Sequence, residues 1–189
     1  MSNFTAVYDA CVLYPAPLRD LLMQLALTDL YRARWTNDIH DEWIRNVLKN
    51  NQNLTSDQLT RTKQLMNTNI RDCLVEGYQS LIPNLQLPDP NDRHVLAAAI
   101  RCQAGVIVTF NLKDFPLESL NPYEIEAQHP DTFILHLLDL SAAKVCNAAE
   151  ICRKRLKRNP KTPEQYLSLL LKQGLPQTVT TLRELYYET

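Results

Sequence analysis

Two short apolar runs, Thr5-Ala6-Val7-Tyr8 and Val106-Ile107-Val108-Thr109, break a chain whose hydrophobic residues otherwise recur at helical spacing. Unalternated runs of this length predict strands buried on both faces of a parallel sheet. Leu18, Leu21, Leu22 and Leu25 predict a helix behind Pro15 and Pro17. Ile39, Trp43 and Val47 form an i, i+4, i+8 stripe, with Thr36 or Asn37 to cap it. Thr55-Ser56-Asp57-Gln58 has the form of a capping box, and the beat of Leu59, Met66, Ile70, Leu74 and Tyr78 carries that helix toward Pro83. Leu85-Gln86-Leu87 reads as a short strand. Asp89-Pro90 then opens a helix with Val95, Leu96, Ala99 and Ile100 inward, ended by Ala104-Gly105. Residues 123–127 read as an edge strand, and Pro130 begins another helix. Strands alternating with helices predict a three-layer α/β/α sandwich around a mainly parallel sheet.

Beyond about residue 137 the pattern is helical throughout. Residues 141–157 are alanine-rich and end in Arg153-Lys154-Arg155-Leu156-Lys157-Arg158, which Asn159-Pro160 breaks. Thr162 caps a further helix with Pro163 at its first position, Gly174 closes it, and a last helix covers about 177–187. The organisation expected is an α/β domain over 1–138 and an all-α extension over 139–189.

Composition narrows the chemistry. The 189 residues are 45% hydrophobic and 22% charged, ordinary for a globular chain. A net charge of −1 excludes a polybasic protein that binds nucleic acid by bulk charge, though not one with a local patch. The five cysteines are scattered and form no CxxC, so they read as reduced thiols rather than disulfides or a zinc site. Three glycines leave little material for a phosphate-cradling loop. The N-terminus carries no signal-peptide pattern and no apolar run spans a bilayer, so a cytoplasmic protein with no membrane partner is expected.

The candidate chemistry is acidic. Asp9 follows one buried strand directly and Asp114 lies within one loop of the other. In open α/β sheets the ligand crevice lies beyond the carboxyl ends of the strands, so neighbouring strands would bring both acids to one crevice. Asp92 sits in the first turn of the helix before the second strand, and Glu42 borders a core-facing stripe. Gathered carboxylates repel one another, and hard divalent cations with oxygen ligands relieve that repulsion. Each residue also has a bland reading: Asp89 as helix cap, Asp92 answering the helix dipole, Asp9 and Asp114 as turn formers, Glu42 as surface charge. His40 and His94 read as bland.

Taken together, Val7-Tyr8-Asp9, the stretch from Thr36 to Glu42, the stretch from Pro88 to Ala99 and the stretch from Val106 to Pro116 resemble the successive motifs of PIN domains. The branch most resembled is that of the VapC-like toxins of toxin–antitoxin pairs, whose closing motif is similar to the stretch from Gln128 to Phe133. The resemblance covers about residues 3–138. It implies a parallel sheet between helices and Mg²⁺- or Mn²⁺-dependent cleavage of RNA. It implies Asp9, Glu42, Asp92 and Asp114 as catalytic acids, with Asp9, Asp92 and Asp114 on the metal. Asn111 matches a polar position bordering the site, and Asp89 a second aspartate whose role is not separable from capping. Asp38 and Asp41 compete with Glu42; by periodicity Asp38 shares its face and Asp41 does not. The toxin branch further implies a small antitoxin that blocks the site.

The helical extension departs from a minimal PIN domain. Arg153, Lys154 and Arg155 there are candidate RNA-phosphate contacts, against the alternative that they answer a helix C-terminus. Leu167, Leu170, Leu171, Leu182 and Leu185 could pack on the core, pair two subunits as a homodimer, or receive an antitoxin. The competing function is a non-catalytic PIN-like module that only holds RNA or protein. A flap-type DNA nuclease lacks the chain length here, and a phosphatase lacks a DxD pair at Asp9.

Overall fold

The computed structural model describes residues 4–187. In chain order its strands and α-helices are β1 (Thr5–Tyr8), α1 (Ala10–Leu13), α2 (Ala16–Ala26), β2 (Arg32–Arg34), α3 (Asn37–Asn50), α4 (Ser56–Asn69), α5 (Arg93–Arg101), β3 (Val106–Val108), α6 (Leu117–Leu120), β4 (Glu126–Gln128), α7 (Pro130–Arg155), α8 (Pro163–Leu171) and α9 (Pro176–Tyr187). They fall into two compact units: residues up to 14 with 31–129, and residues 15–30 with those from 130 onward.

The first unit is built on a four-stranded sheet in the order β2-β1-β3-β4, every pair parallel. β1 and β3 are adjacent, with Tyr8 opposite Val108, so the residues that follow them emerge side by side. Both runs are buried because they lie inside the sheet, which is why neither shows a polar face. α5 packs on β1 and β3, with Val95, Leu96, Ala97, Ala98 and Ala99 buried. Thr36 caps α3 by accepting from the N–H of Ile39 at 3.0 Å, and Thr55 and Gln58 form the capping box of α4. Under α3, Trp43 Nε1 donates to His40 Nδ1 at 3.0 Å, and both rings are fully buried. The other ring nitrogen of His40 bonds Asn67 Oδ1 at 2.9 Å, so the ring sits neutral, and burial lowers its pKa to about 4.

The second unit is all-helical. α2 packs along α7 with its leucine stripe, Leu18, Leu21, Leu22 and Leu25, buried. α7 bends at Ser141, whose backbone is extended inside the helix. α9 packs on both α7 and α8, and α8 opens with a capping box of Thr162 and Gln165. Asp131 accepts from the backbone N–H of Gln177 at 3.0 Å and of Thr178 at 2.9 Å, two otherwise orphaned donors at the start of α9.

The α/β expectation holds, with a sheet that is parallel throughout, and four local expectations fail. Residues 85–87 form no strand: Pro83 and Pro88 flank them, and the preceding turn closes on Ile82 and Leu85. The helix from Ser56 stops at Asn69, because Asp72 and Gly77 take positive φ and Leu74 bridges to Trp35 instead. The edge strand lies at Glu126–Gln128 rather than 123–127, since Asn121–Tyr123 is a 3₁₀ turn around Pro122. β2 was not expected at all: Arg32-Ala33-Arg34 holds one apolar residue and offers little strand pattern.

Candidate active site

Asp9 leaves the end of β1 and is 2% exposed. Its Oδ1 accepts from the N–H of Ala10 at 2.7 Å, and its Oδ2 accepts from the Thr109 hydroxyl at 2.7 Å and the Cys11 thiol at 3.3 Å. Thr109 follows β3 as Asp9 follows β1, so their meeting is the parallel register continued by one residue. The Thr109 oxygen also receives the N–H of Asn111 at 3.0 Å, and Asn111 accepts from the N–H of Asp114 at 3.0 Å. One chain of bonds thus ties Asp9 to the 3₁₀ turn Leu112–Asp114. Burial, then the charge of Asp9, pushes the Cys11 thiol up to about 12, so it stays a proton donor.

The cleft beside these strand ends has a volume of about 690 Å³. Asp38, Asp41, Glu42, Asp89, Asp92 and Asp114 line it, with Asn111, Asn91, Asn46, Arg45 and His94. The carboxylates influence one another. Asp92 is pushed up to about 7 by burial and then by Asp9, Asp89, Asp114 and Glu42. Asp9 is raised by burial and by Glu42, against the opposing pull of its hydrogen bonds. Of the four acids predicted from sequence, Glu42, Asp92 and Asp114 line this cleft with Asn111 and Asp89, and buried Asp9 is near enough to raise Asp92.

Several assignments are sharpened. Asp89 is the cap of the Pro90–Asp92 turn, accepting from the N–H of Asn91 at 2.8 Å, and it lines the cleft as well. Asp38 accepts from the Tyr78 hydroxyl. Asp41 pairs with Lys63 at 3.3 Å and reaches the cleft, contrary to the face that periodicity assigned it. His94 is not bland: its Nε2 stands 3.4 Å from Glu42 Oε2. Burial lowers its pKa, but the bond and charge of Glu42, with Asp38 and Asp9, outweigh this and leave it raised. Thr109, Cys11 and His94 were missed by sequence reasoning. Thr109 follows from the strand register once pairing is known, whereas His94 and Glu42 lie 52 positions apart with no local signal.

Arg153, Lys154 and Arg155 belong to the other unit, in the last turn of α7. Arg153 holds both oxygens of Glu150, at 2.8 and 2.6 Å, and donates to the Lys161 carbonyl at 2.7 Å. Lys154 pairs with Glu150 at 3.3 Å. Two of the three cations thus share one carboxylate, which offsets a single charge between them.

The acidic set fits a hard cation by the chemistry of its donors. They are oxygens, they are partly desolvated, and their mutual repulsion is relieved by positive charge. Among the described residues, no three His, Cys, Asp or Glu side chains are grouped closely enough to hold a metal ion as they stand. An open carboxylate set suits Mg²⁺ or Mn²⁺, which keep waters, better than it suits a tetrahedral structural ion. Among the described residues no helix is long and apolar enough to cross a membrane.

Comparison with known proteins matches both units. A family model of the PIN domain matches residues 5–113, and one of the VapC50 C-terminal domain matches residues 130–184. A protein of Mycobacterium tuberculosis (strain ATCC 25618 / H37Rv), named "Putative ribonuclease VapC50", is 56% identical over 64 residues. Those residues are 34% of this chain and 37% of that protein, so the match spans little more than a third of the curated relative. No solved structure matches.

Proposed function

This chain belongs to the PIN-domain family, and from that membership we propose that it is a Mg²⁺- or Mn²⁺-dependent endoribonuclease of the VapC-like toxin type. The observation that supports the reading best is that Glu42, Asp92 and Asp114 line one cleft near buried Asp9, where burial and then the neighbouring acids push Asp92 up to about 7.

In this reading Asp9, Asp92 and Asp114 hold the cation. When bound, such an ion lowers the pKa of a water and neutralises charge on the leaving oxygen of a phosphodiester. The chain's own groups do the positioning. Thr109, Cys11 and the Ala10 amide fix the Asp9 carboxylate, so it meets its ligand without losing rotamer freedom. His94 steadies Glu42 across the cleft. Asn111, bonded through its backbone to Thr109, places a neutral amide at the rim where a ribose or base edge can bond without repelling the phosphate. The proposed substrate is RNA, and the partner is an antitoxin that fills the acidic cleft. A homodimer and RNA contacts by Arg153, Lys154 and Arg155 belong to the same proposal, the last weakened by the pairing with Glu150.

The test compares wild type with Asp92→Asn on labelled RNAs, in Mn²⁺ and in EDTA. Cleavage should require Mn²⁺ and fall about 10³-fold in the variant, several kcal/mol of transition-state stabilisation. Equal cutting by both proteins, or in EDTA, would sink the metal-dependent reading. Toxin action predicts growth arrest on expression of wild type and none with Asp92→Asn.

A further inference from the structure

A second concavity of about 450 Å³ lies between α3 and α4 and shares Asp41 and Arg45 with the acidic cleft. Besides those two, its walls carry Lys63, Thr60, Gln64 and Ser56, together with the apolar side chains of Ile44 and Leu48. The two spaces share one stretch of α3 wall, and the balance of charge differs between them. The cleft holds six carboxylates, whereas the groove holds Arg45 and Lys63 against Asp41 alone.

Arg45 is the pivot. It lies one helical turn past Asp41 and Glu42 on α3, about 4.5 Å further along the axis than Glu42. It is exposed, and no ion pair is recorded for it among the described residues. This contrasts with Arg153, whose guanidinium is held by Glu150. A planar cation facing an acidic cleft is suited to grip a phosphate beside the one that the carboxylates address. Lys63 lines the same groove and pairs with Asp41 at 3.3 Å, so a phosphate bound there would share it with that carboxylate. The hydroxyls of Thr60 and Ser56 and the amide of Gln64 supply neutral bonds to sugar and base edges. The groove runs along helix flanks and is open to solvent, which admits a single strand lying in it lengthwise.

We infer that the α3–α4 groove carries the flanking part of a single-stranded RNA substrate, with Arg45 on the phosphate next to the scissile one and Lys63 on the following one. The inference rests on the ribonuclease reading for the scissile position only; strand binding in the groove is separable from cleavage.

The experiment uses the full chain and a labelled single-stranded RNA, measuring affinity by anisotropy in EDTA across a salt series and cleavage in Mn²⁺. Arg45→Gln and Lys63→Gln are compared with wild type and with Lys49→Gln, an exposed cation in the last turn of α3 that lines neither space. Each groove variant should weaken binding on the order of tenfold, as loss of a charge-assisted bond does, and lower the slope of log K against log salt by about 0.7. KM should rise with kcat little changed, Arg45→Lys should restore part of the affinity, and Lys49→Gln should match wild type. Wild-type affinity and slope in both groove variants, with wild type still cutting RNA, would overturn the groove and leave the ribonuclease reading intact. Arg45-dependent binding by a wild type that cuts nothing in Mn²⁺ would keep the groove and overturn the ribonuclease. Loss of self-association instead of RNA affinity in Arg45→Gln would show that a second copy occupies the groove, and would also overturn the inference.

Discussion

Asp9 at the end of β1 and Asp131 at the start of α7 are both almost wholly buried, at 2% and 3% exposure, in different units and in opposite electrostatic settings. Asp131 turns its two oxygens to the N–H groups of Gln177 and Thr178, at the positive end of α9. Its charge is answered by dipoles that need it. Asp9 is also fully bonded, by Ala10, Thr109 and Cys11, yet it shares its field with Glu42 and Asp92. Hydrogen bonds hold it in place but do not cancel its neighbours. The difference separates two uses of a buried acid. One fastens a helix; the other is held by its hydrogen bonds within the field of neighbouring acids, as the proposed cation site would require.

The comparison breaks most sharply on activity. Asp9→Asn should lower RNA cleavage in Mn²⁺ by about 10³-fold while leaving the melting temperature unchanged or higher, since it removes a repelled charge. Asp131→Asn, assayed per folded molecule, should cut like wild type. Equal losses in the two variants would erase the distinction.

A third buried titratable group, His40, supplies the next largest effect. Its folded pKa of about 4 lies below the unfolded value, so the unfolded chain takes up the proton first as pH falls. Stability is therefore complete above about pH 6.5 and declines as pH drops toward about 4, by up to about 3 kcal/mol. Urea melts of wild type and His40→Gln across that window measure it; a slope that survives the substitution would assign the loss elsewhere.

These contrasts also show what the sequence discloses. β1 and β3 were legible because buried parallel strands are continuously apolar, and Asp9 and Asp114 because they follow such runs. Capping at Thr36, Thr55 and Thr162 was legible because the motif is complete within four residues. β2 was not, since its one inward residue, Ala33, sits between arginines and its pairing depends on β1. Thr109 and His94 touch their partners across 100 and 52 positions, and no local pattern encodes such a meeting. Asp131 stood inside a recognised motif, yet its link to α9 spans 46 positions and was equally hidden.

Two smaller effects sharpen the comparison from its other side. Asp131→Ala should destabilise the protein by about 2 kcal/mol, the loss of a buried helix cap, read from the urea midpoint. Thr109→Val should lower kcat/KM about tenfold with little change in melting, because it removes one bond that orients Asp9 and keeps the volume. A stability loss in Thr109→Val larger than in Asp131→Ala would make Asp9 the fastener.

The adjacency of β1 and β3 also sets a timetable. Thr109 and Asp9 are separated by 100 positions of chain, and β1 is made first. At roughly 5 to 20 residues per second, Asp9 waits about 5 to 20 s before Thr109 is even polymerised. Asp92 and Asp114 belong to the same late stretch. Until then the acids already made, from Asp9 to Asp92, have no completed sheet edge to gather on. The acids of the candidate site therefore gather only after β3 has been made, so the site forms late in synthesis although its first acid is among the earliest residues.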